Sequence, residues 1–257
     1  MLSQTPVLIL AGGLGTRLKP VLPDRPKGLA PIGTYSFLEI QIRLLRRQGA
    51  RRFVLCVGYL ADQIQSALGD GQSLGVQIEY SVEPEGRLLG TAGALKKAER
   101  YFAPHALVLN GDTYFAIDYA AFLQHHLAQR QQRNANATLA LTRLSERERY
   151  GNVVLDPSGQ TIRAFREKNA VEASGWVSGG AYVIDRALLD HIPRDQPCSL
   201  EREVFPRVLA GGHVLAAMTC ADPFFDIGTP DAWKQFVTHY LELQNGKRPS
   251  PDPTADR

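Results

Sequence analysis

The residues with the clearest chemical potential lie near the start of the chain. In "LILAGGLGTRLKP", residues 8–20, the apolar Leu8-Ile9-Leu10 and Ala11 run straight into Gly12, Gly13 and Gly15, then Thr16, Arg17 and Lys19. Glycine has no Cβ, so the backbone there can turn sharply or approach a ligand closely. Exposed N–H groups beside two cations form an anion site, and phosphate is the anion they suit. Neither of the two common glycine phosphate loops fits. A P-loop needs G-x-x-x-x-G-K-[ST], whereas Thr16 and Arg17 follow Gly15. Gly13-Leu14-Gly15 begins a dinucleotide fingerprint, but Leu18 stands where its third glycine belongs.

Two carboxylates follow apolar runs elsewhere. "VLNGDTYF", residues 108–115, contains Asp112, and "PFFDIGTP", residues 223–230, contains Asp226. Hard cations choose carboxylate oxygens, and Mg²⁺ is usually held by one or two of them together with substrate phosphates. Asp112 can equally cap a turn after Gly111, a common task for Asp. Cys56, Cys198 and Cys220 have no C-x-x-C spacing and read as free thiols in a reducing compartment. The adjacent His125-His126 falls in a polar helical stretch, so its side chains are expected at the surface and not on a metal.

The elements that must position these groups alternate through the first half. Val7 to Leu10 reads as a buried strand. Ser36-Phe37-Leu38-Glu39 is a capping box that opens a helix ending at Gln48-Gly49. Phe53 to Val57, Val76 to Val82 and Ala106 to Leu109 read as strands, and Ala61 to Leu68 as a helix. Thr91 is expected to cap a helix through about Tyr101. Such a rhythm predicts an α/β fold with a mainly parallel sheet flanked by helices, and ligands beyond the carboxyl ends of its strands. From about residue 136, Ala137 to Thr142, Asn152 to Leu155, Thr161 to Phe165 and Trp176 to Ile184 read as shorter strands of a smaller β extension. Helices are expected over Leu200 to Leu209 and Pro230 to Leu243. One domain over 1–245 is expected, in two halves that meet at about residue 135, the second a substrate-binding lobe. Residues 246–257 form a polar, proline-bearing tail expected to be disordered.

Composition narrows the partners. The chain has 257 residues, and its formal net charge of +3 comes from dispersed Lys and Arg. Nucleic acid and membrane partners are not indicated, and anionic small molecules are permitted. Met1 to Pro6 has no basic leader pattern and no apolar run approaches membrane-spanning length, so the expected compartment is the cytoplasm. A homo-oligomer is compatible with the sequence, which does not fix the oligomeric state.

The segments "LAGGLGTRL", "PKGLAPIG", "LGTAGAL", "LNGD", "FREK", "GGAYVI" and "FFDIGTP" resemble the sugar-1-phosphate nucleotidylyltransferases, in that family's order and over residues 6 to about 240. Within the family, "LNGDTYF" and the compact length are most similar to heptose-1-phosphate guanylyltransferases. The resemblance implies a Rossmann-like nucleotidyltransferase fold, one NTP, one sugar 1-phosphate and Mg²⁺. It implies that Leu10, Ala11, Gly12, Gly13, Gly15, Thr16 and Arg17 hold the nucleotide, with Arg17 on the β- and γ-phosphates. Gly90, Thr91 and Ala92 would contact the nucleoside, and Lys27 the phosphate undergoing substitution. Tyr150, Gly151, Glu167, Lys168, Ser178, Gly179 and Gly180 would line the sugar-phosphate side, and Asp112 and Asp226 would hold the metal. Many relatives carry proline where Gly28 stands, which predicts a freer loop here, and Ser178 replaces a frequent asparagine. Guanylyl, uridylyl and thymidylyl transferases share these motifs. A non-catalytic regulatory subunit is the alternative from another class; it would be expected to lose one of Arg17, Lys27, Asp112, Lys168 or Asp226, and all are present.

Overall fold

The computed structural model describes residues 1–144, 151–166 and 175–246. The expectations for Tyr150, Glu167, Lys168 and the tail past Gly246 lie outside them. Strand β1 (Val7–Leu10) is followed by the two-residue strands β2 (Pro31–Ile32) and β3 (Tyr35–Ser36) and by helix α1 (Phe37–Arg47). The alternation continues through β4 (Arg52–Val57), α2 (Ala61–Leu68), β5 (Gln77–Val82), α3 (Gly90–Lys97) and β6 (His105–Asn110). A short β7 (Thr113–Phe115) and α4 (Tyr119–Arg133) precede β8 (Ala135–Leu144), β9 (Asn152–Leu155), β10 (Ile162–Arg166) and β11 (Gly175–Asp185). Last come α5 (Phe205–Ala210), β12 (Val214–Thr219), β13 (Phe224–Asp226) and α6 (Pro230–Gln244).

Strands β6, β1, β4 and β5 lie side by side and parallel. β11 runs antiparallel to β6, β8 antiparallel to β11, and β12 parallel to β8. With β9 and β10 at the margin, nine strands among the described residues share one sheet, so the two expected halves are continuous. Successive side chains of a strand point to opposite faces. Val7 and Ile9 therefore enter one buried cluster and Leu8 the other, and the sheet is covered on both sides.

The capping box forms as expected: the Ser36 N–H donates to Glu39 Oε2 at 2.7 Å and the Glu39 N–H to Ser36 Oγ at 3.4 Å. Several expectations need correction. β8 and β11, with 10 and 11 residues, are longer than the short strands expected there, whereas β9 and β10, with 4 and 5, are short as expected. Gly90, at φ +69°, opens α3 one residue before Thr91, because only a residue without a Cβ fits against the Cys198 carbonyl there. The Thr91 hydroxyl accepts from the Leu200 N–H (2.9 Å) instead of capping its own helix, which ends at Lys97. The helix expected from Leu200 begins as a wider turn, with the Phe205 N–H on the Leu200 carbonyl. Pro206 has no N–H to offer Arg202, which removes one ordinary helical bond at that junction. His126 is fully buried, between Thr138 Oγ1 (3.0 Å) and Asp185 Oδ1 (3.3 Å), and His125 reaches the Ala217 carbonyl (3.0 Å). These two side chains fasten α4 to the sheet, which is why a polar helix face is turned inward.

Candidate active site

A cavity of about 330 Å³ opens where β1 and β6 end, at the carboxyl edge of the parallel strands. The Ala11 N–H donates to the Cys56 carbonyl (2.8 Å) and the Tyr59 N–H to the Gly12 carbonyl (3.2 Å), so the end of β4 holds the glycine loop. Gly15 needs its freedom twice: its φ is +58°, and a Cβ would lie 3.3 Å from Lys27 Cβ. Leu10, Ala11, Gly12, Gly13, Gly15, Thr16 and Arg17 all line the cavity, with Arg17 exposed at its rim. Lys19 does not join them; its Nζ lies 4.7 Å from the centre of the Tyr59 ring.

Lys27 is set by a tight turn. Pro26, at φ −66°, leads into the single turn Lys27–Leu29, closed by the Ala30 N–H on the Lys27 carbonyl (3.0 Å). Gly28 is buried in it, and a Cβ there would fall 2.6 Å from Leu38 Cδ1. The freer loop expected at Gly28 is therefore a fixed turn packed on α1. Lys27 Nζ meets Asp112 Oδ2 at 2.6 Å, a close charged contact at the cavity wall. Asp112 does more than cap a turn after Gly111.

Asp226 arrives beside Asp112 through backbone pairing. β13 pairs β7 with Asp226 opposite Thr113, and the Ile227 N–H donates to the Asp112 carbonyl (3.0 Å). Asp226 Oδ1 accepts from the Gly228 N–H (2.7 Å), and the Thr113 hydroxyl donates to Asp112 Oδ1 (3.3 Å). Among the described residues no cluster of three or more His, Cys, Asp or Glu side chains could form an all-protein metal cage. Asp112 lines the cavity; Asp226 does not, and stands near it only through the pairing of β13 with β7. A carboxylate at a polar cavity suits a cation that keeps water and takes its remaining oxygens from a substrate, as Mg²⁺ does.

Gly90 and Thr91 line the cavity. Ala92 is buried in the core, and its N–H is taken by the Cys198 carbonyl (2.9 Å). Gly179 and Gly180 permit close packing: a Cβ on Gly179 would lie 2.3 Å from Phe115, and one on Gly180, at φ +66°, 2.9 Å from Asn110 Nδ2. Ser178 Oγ accepts from the Gly180 N–H (3.3 Å), and Gly151 is exposed. Glu83, Leu88 and Asn110 also line the cavity and went unread in the sequence, where nothing distinguishes them from strand-end and loop residues. Glu83 Oε2 accepts from the Leu89 N–H (2.7 Å). Burial chiefly raises its pKa, opposed by that N–H and by Lys97.

A family model described as nucleotidyl transferase matches residues 6–242. The chain belongs to the nucleotidyl transferase family. It is 34% identical over 233 residues to the D-glycero-alpha-D-manno-heptose 1-phosphate guanylyltransferase of Campylobacter jejuni, covering 90% of this chain and 97% of that one. It is 33% identical over 250 residues to the mannose-1-phosphate guanylyltransferase of Mycobacterium tuberculosis, covering 96% and 67%. In three dimensions it is similar to HddC from Yersinia pseudotuberculosis, with a TM-score of 0.78, 29% identity, and 92% and 100% of the two chains covered. HddC has also been solved in complex with GMP-PN. HddC shares this fold, a large mostly parallel sheet flanked by helices. Among the described residues no helix is long and apolar enough to cross a membrane.

Proposed function

We propose that this protein transfers a guanylyl group from GTP to a manno-configured heptose 1-phosphate, releasing pyrophosphate and a GDP-heptose. The observation that carries the reading is the cavity at the ends of β1 and β6, where the glycine loop, Lys27 and Asp112 converge. The reaction is an in-line attack by a sugar-phosphate oxygen on the α-phosphorus of the NTP. The new O–P bond forms as the bond to the β-phosphate bridging oxygen breaks, and its electron pair leaves on pyrophosphate. The nucleophile is already ionised, so the protein's work is positioning and charge neutralisation.

In this reading the loop from Leu10 to Thr16 cradles the triphosphate and Arg17 steadies the leaving pyrophosphate. Lys27 turns from Asp112 to the α-phosphate. Asp112, with Asp226 as the second carboxylate, would hold a Mg²⁺, which would supply charge neutralisation at the phosphates. Gly90 and Thr91 flank the nucleoside with Ala92 packed behind them in the core, and Lys168 with Glu167, Tyr150, Gly151, Ser178, Gly179 and Gly180 serves the sugar phosphate. Glu83 favours guanine: a carboxylate beside Gly12 is an acceptor that suits the donor edge of that base. The heptose and mannose guanylyltransferase relatives support the same base. A cytoplasmic setting accords with three free, buried cysteines.

The test compares kcat/KM for heptose, mannose and glucose 1-phosphates, each with GTP, UTP and dTTP. GTP should be preferred firmly, because a site built for guanine leaves polar groups unpaired with a pyrimidine. Mannose 1-phosphate should be accepted at a moderate loss, since an unfilled methylene-sized gap costs only about 1–3 kcal/mol. Preference for a pyrimidine nucleotide, or for a hexose by about tenfold or more, would overturn the substrate pair.

A further inference from the structure

Asn110, the last residue of β6, lines the cavity, yet the reaction described above gives it no task. Its carbonyl is fixed by Gln41 Nε2 (2.9 Å), which also holds the Thr113 carbonyl (2.6 Å). Its side chain packs against Gly180, where any Cβ would lie 2.9 Å from Asn110 Nδ2 and 3.2 Å from Asn110 Cβ. Close by stands Tyr182, fully buried, whose hydroxyl hydrogen-bonds Ser178 and Glu201 and interacts with the Asn110 side chain.

The phenol decides which way the Asn110 amide faces. Tyr182 donates its one proton to Glu201 Oε1 (2.7 Å) and accepts from Ser178 Oγ (3.3 Å). Ser178 can donate there because its own oxygen already accepts from the Gly180 N–H (3.3 Å). A phenol has one proton, so anything else that meets its oxygen must donate. The amide must therefore offer its NH₂ to Tyr182, which leaves Oδ1 as the outward acceptor. Among the described residues Asn110 Oδ1 is buried and has no partner. A buried acceptor without a partner is costly, and the cost is recovered when a donor arrives.

We propose that Asn110 binds a substrate hydroxyl through Oδ1, and that Tyr182, anchored by Glu201, is a positioning residue that keeps this oxygen turned to the ligand. The inference rests on the nucleotidyl-transfer reading, in which two bound molecules carry hydroxyls: the ribose of the nucleotide and the sugar of the sugar phosphate. Both offer the same donor.

The experiment assays the wild type, Asn110→Leu, Asn110→Ala and Tyr182→Phe. The substrates are GTP and its 2′-deoxy and 3′-deoxy forms, and mannose 1-phosphate and its 2-deoxy and 3-deoxy forms. The wild type should lose about tenfold in kcat/KM on one deoxy substrate, the scale of one buried hydrogen bond. Asn110→Leu and Tyr182→Phe should lose that factor on the parent substrate, through KM, and show no further loss on the deoxy form. The molecule on which discrimination vanishes identifies the source of the hydroxyl. Asn110→Ala, which removes the acceptor without adding bulk, should behave as Asn110→Leu and serves if the leucine variant does not fold. Glu201→Gln, which still accepts from the phenol, should behave as wild type, and Glu201→Ala as Tyr182→Phe. Unaltered discrimination in folded Asn110→Leu or Tyr182→Phe would overturn the proposal. The same comparison read as Kd by calorimetry separates the two claims: absent turnover with intact hydroxyl discrimination refutes the reaction alone.

Discussion

Lys27 and Asp112 form a close ion pair in the cavity wall, and in the proposed reaction each takes a different partner once substrates bind. That exchange makes both residues sensitive to substitution. Replacing Asp112 with Asn keeps the shape and removes the charge that would hold the cation. kcat should fall by on the order of a hundredfold or more, the scale of losing one electrostatic stabiliser, with the fold unchanged by circular dichroism. A near-normal kcat would return Asp112 to a turn-capping role. Glu83 carries the opposite kind of information. Its folded-state pKa is raised, so the native state holds its proton more tightly than the unfolded chain does. Stability from this group is greatest below the ordinary carboxylate range and falls as pH rises through the elevated value. Glu83→Gln should therefore melt higher than wild type at pH 7, and the difference should vanish near pH 4. A melting-temperature series from pH 4 to 8 checks this, and an equal gap at both ends would contradict it.

At the scale of elements, the sheet separates stability from chemistry along the length of its strands. β6 begins at His105, opposite Asp185 on β11, and ends at Asn110 beside the cavity. His126 on α4 sits at the first of these ends, held by Thr138 and by Asp185, whose other oxygen meets Arg130 Nε (2.8 Å). His126→Ala strands buried polar partners and should cost about 2–3 kcal/mol in urea unfolding. kcat/KM should stay within about twofold of wild type, because the change lies at the far edge of the sheet. A large kinetic loss with unchanged stability would contradict that division. The same contrast explains what could be read in the sequence. β1, β4 and β6 were legible because strands buried on both faces are short apolar runs between turn residues. The Ser36–Glu39 capping box was legible because it is local. β12, β13 and the inward turn of His126 were not, since each depends on a partner far along the chain. Asp112 and Asp226 were readable as carboxylates, but their adjacency comes from the pairing of β7 with β13. Asn110 and Tyr182 lie inside "LNGD" and "GGAYVI" yet drew no role of their own, and Glu83 lies in no motif, because only the fold brings Glu83 and Asn110 to the cavity.

Among the described residues a nine-stranded sheet forms the centre of the molecule, with a charged cavity at the carboxyl edge of its parallel strands. Its small net charge of +3 steers no polyanion, so the phosphate preference must arise locally, from the loop amides, Arg17 and Lys27. Two carboxylates in the same place would repel a triphosphate unless a cation stands between them. The central claim is therefore nucleotidyl transfer that needs both substrates and a divalent cation. The direct measurement is pyrophosphate release by the purified protein with GTP, heptose 1-phosphate and Mg²⁺, followed beside the nucleotide-sugar product. The account predicts one pyrophosphate for each GDP-sugar formed, none when either substrate is left out, and none in excess chelator until Mg²⁺ is restored. Full turnover in chelator, or no pyrophosphate with any pairing of NTP and sugar 1-phosphate, would contradict it.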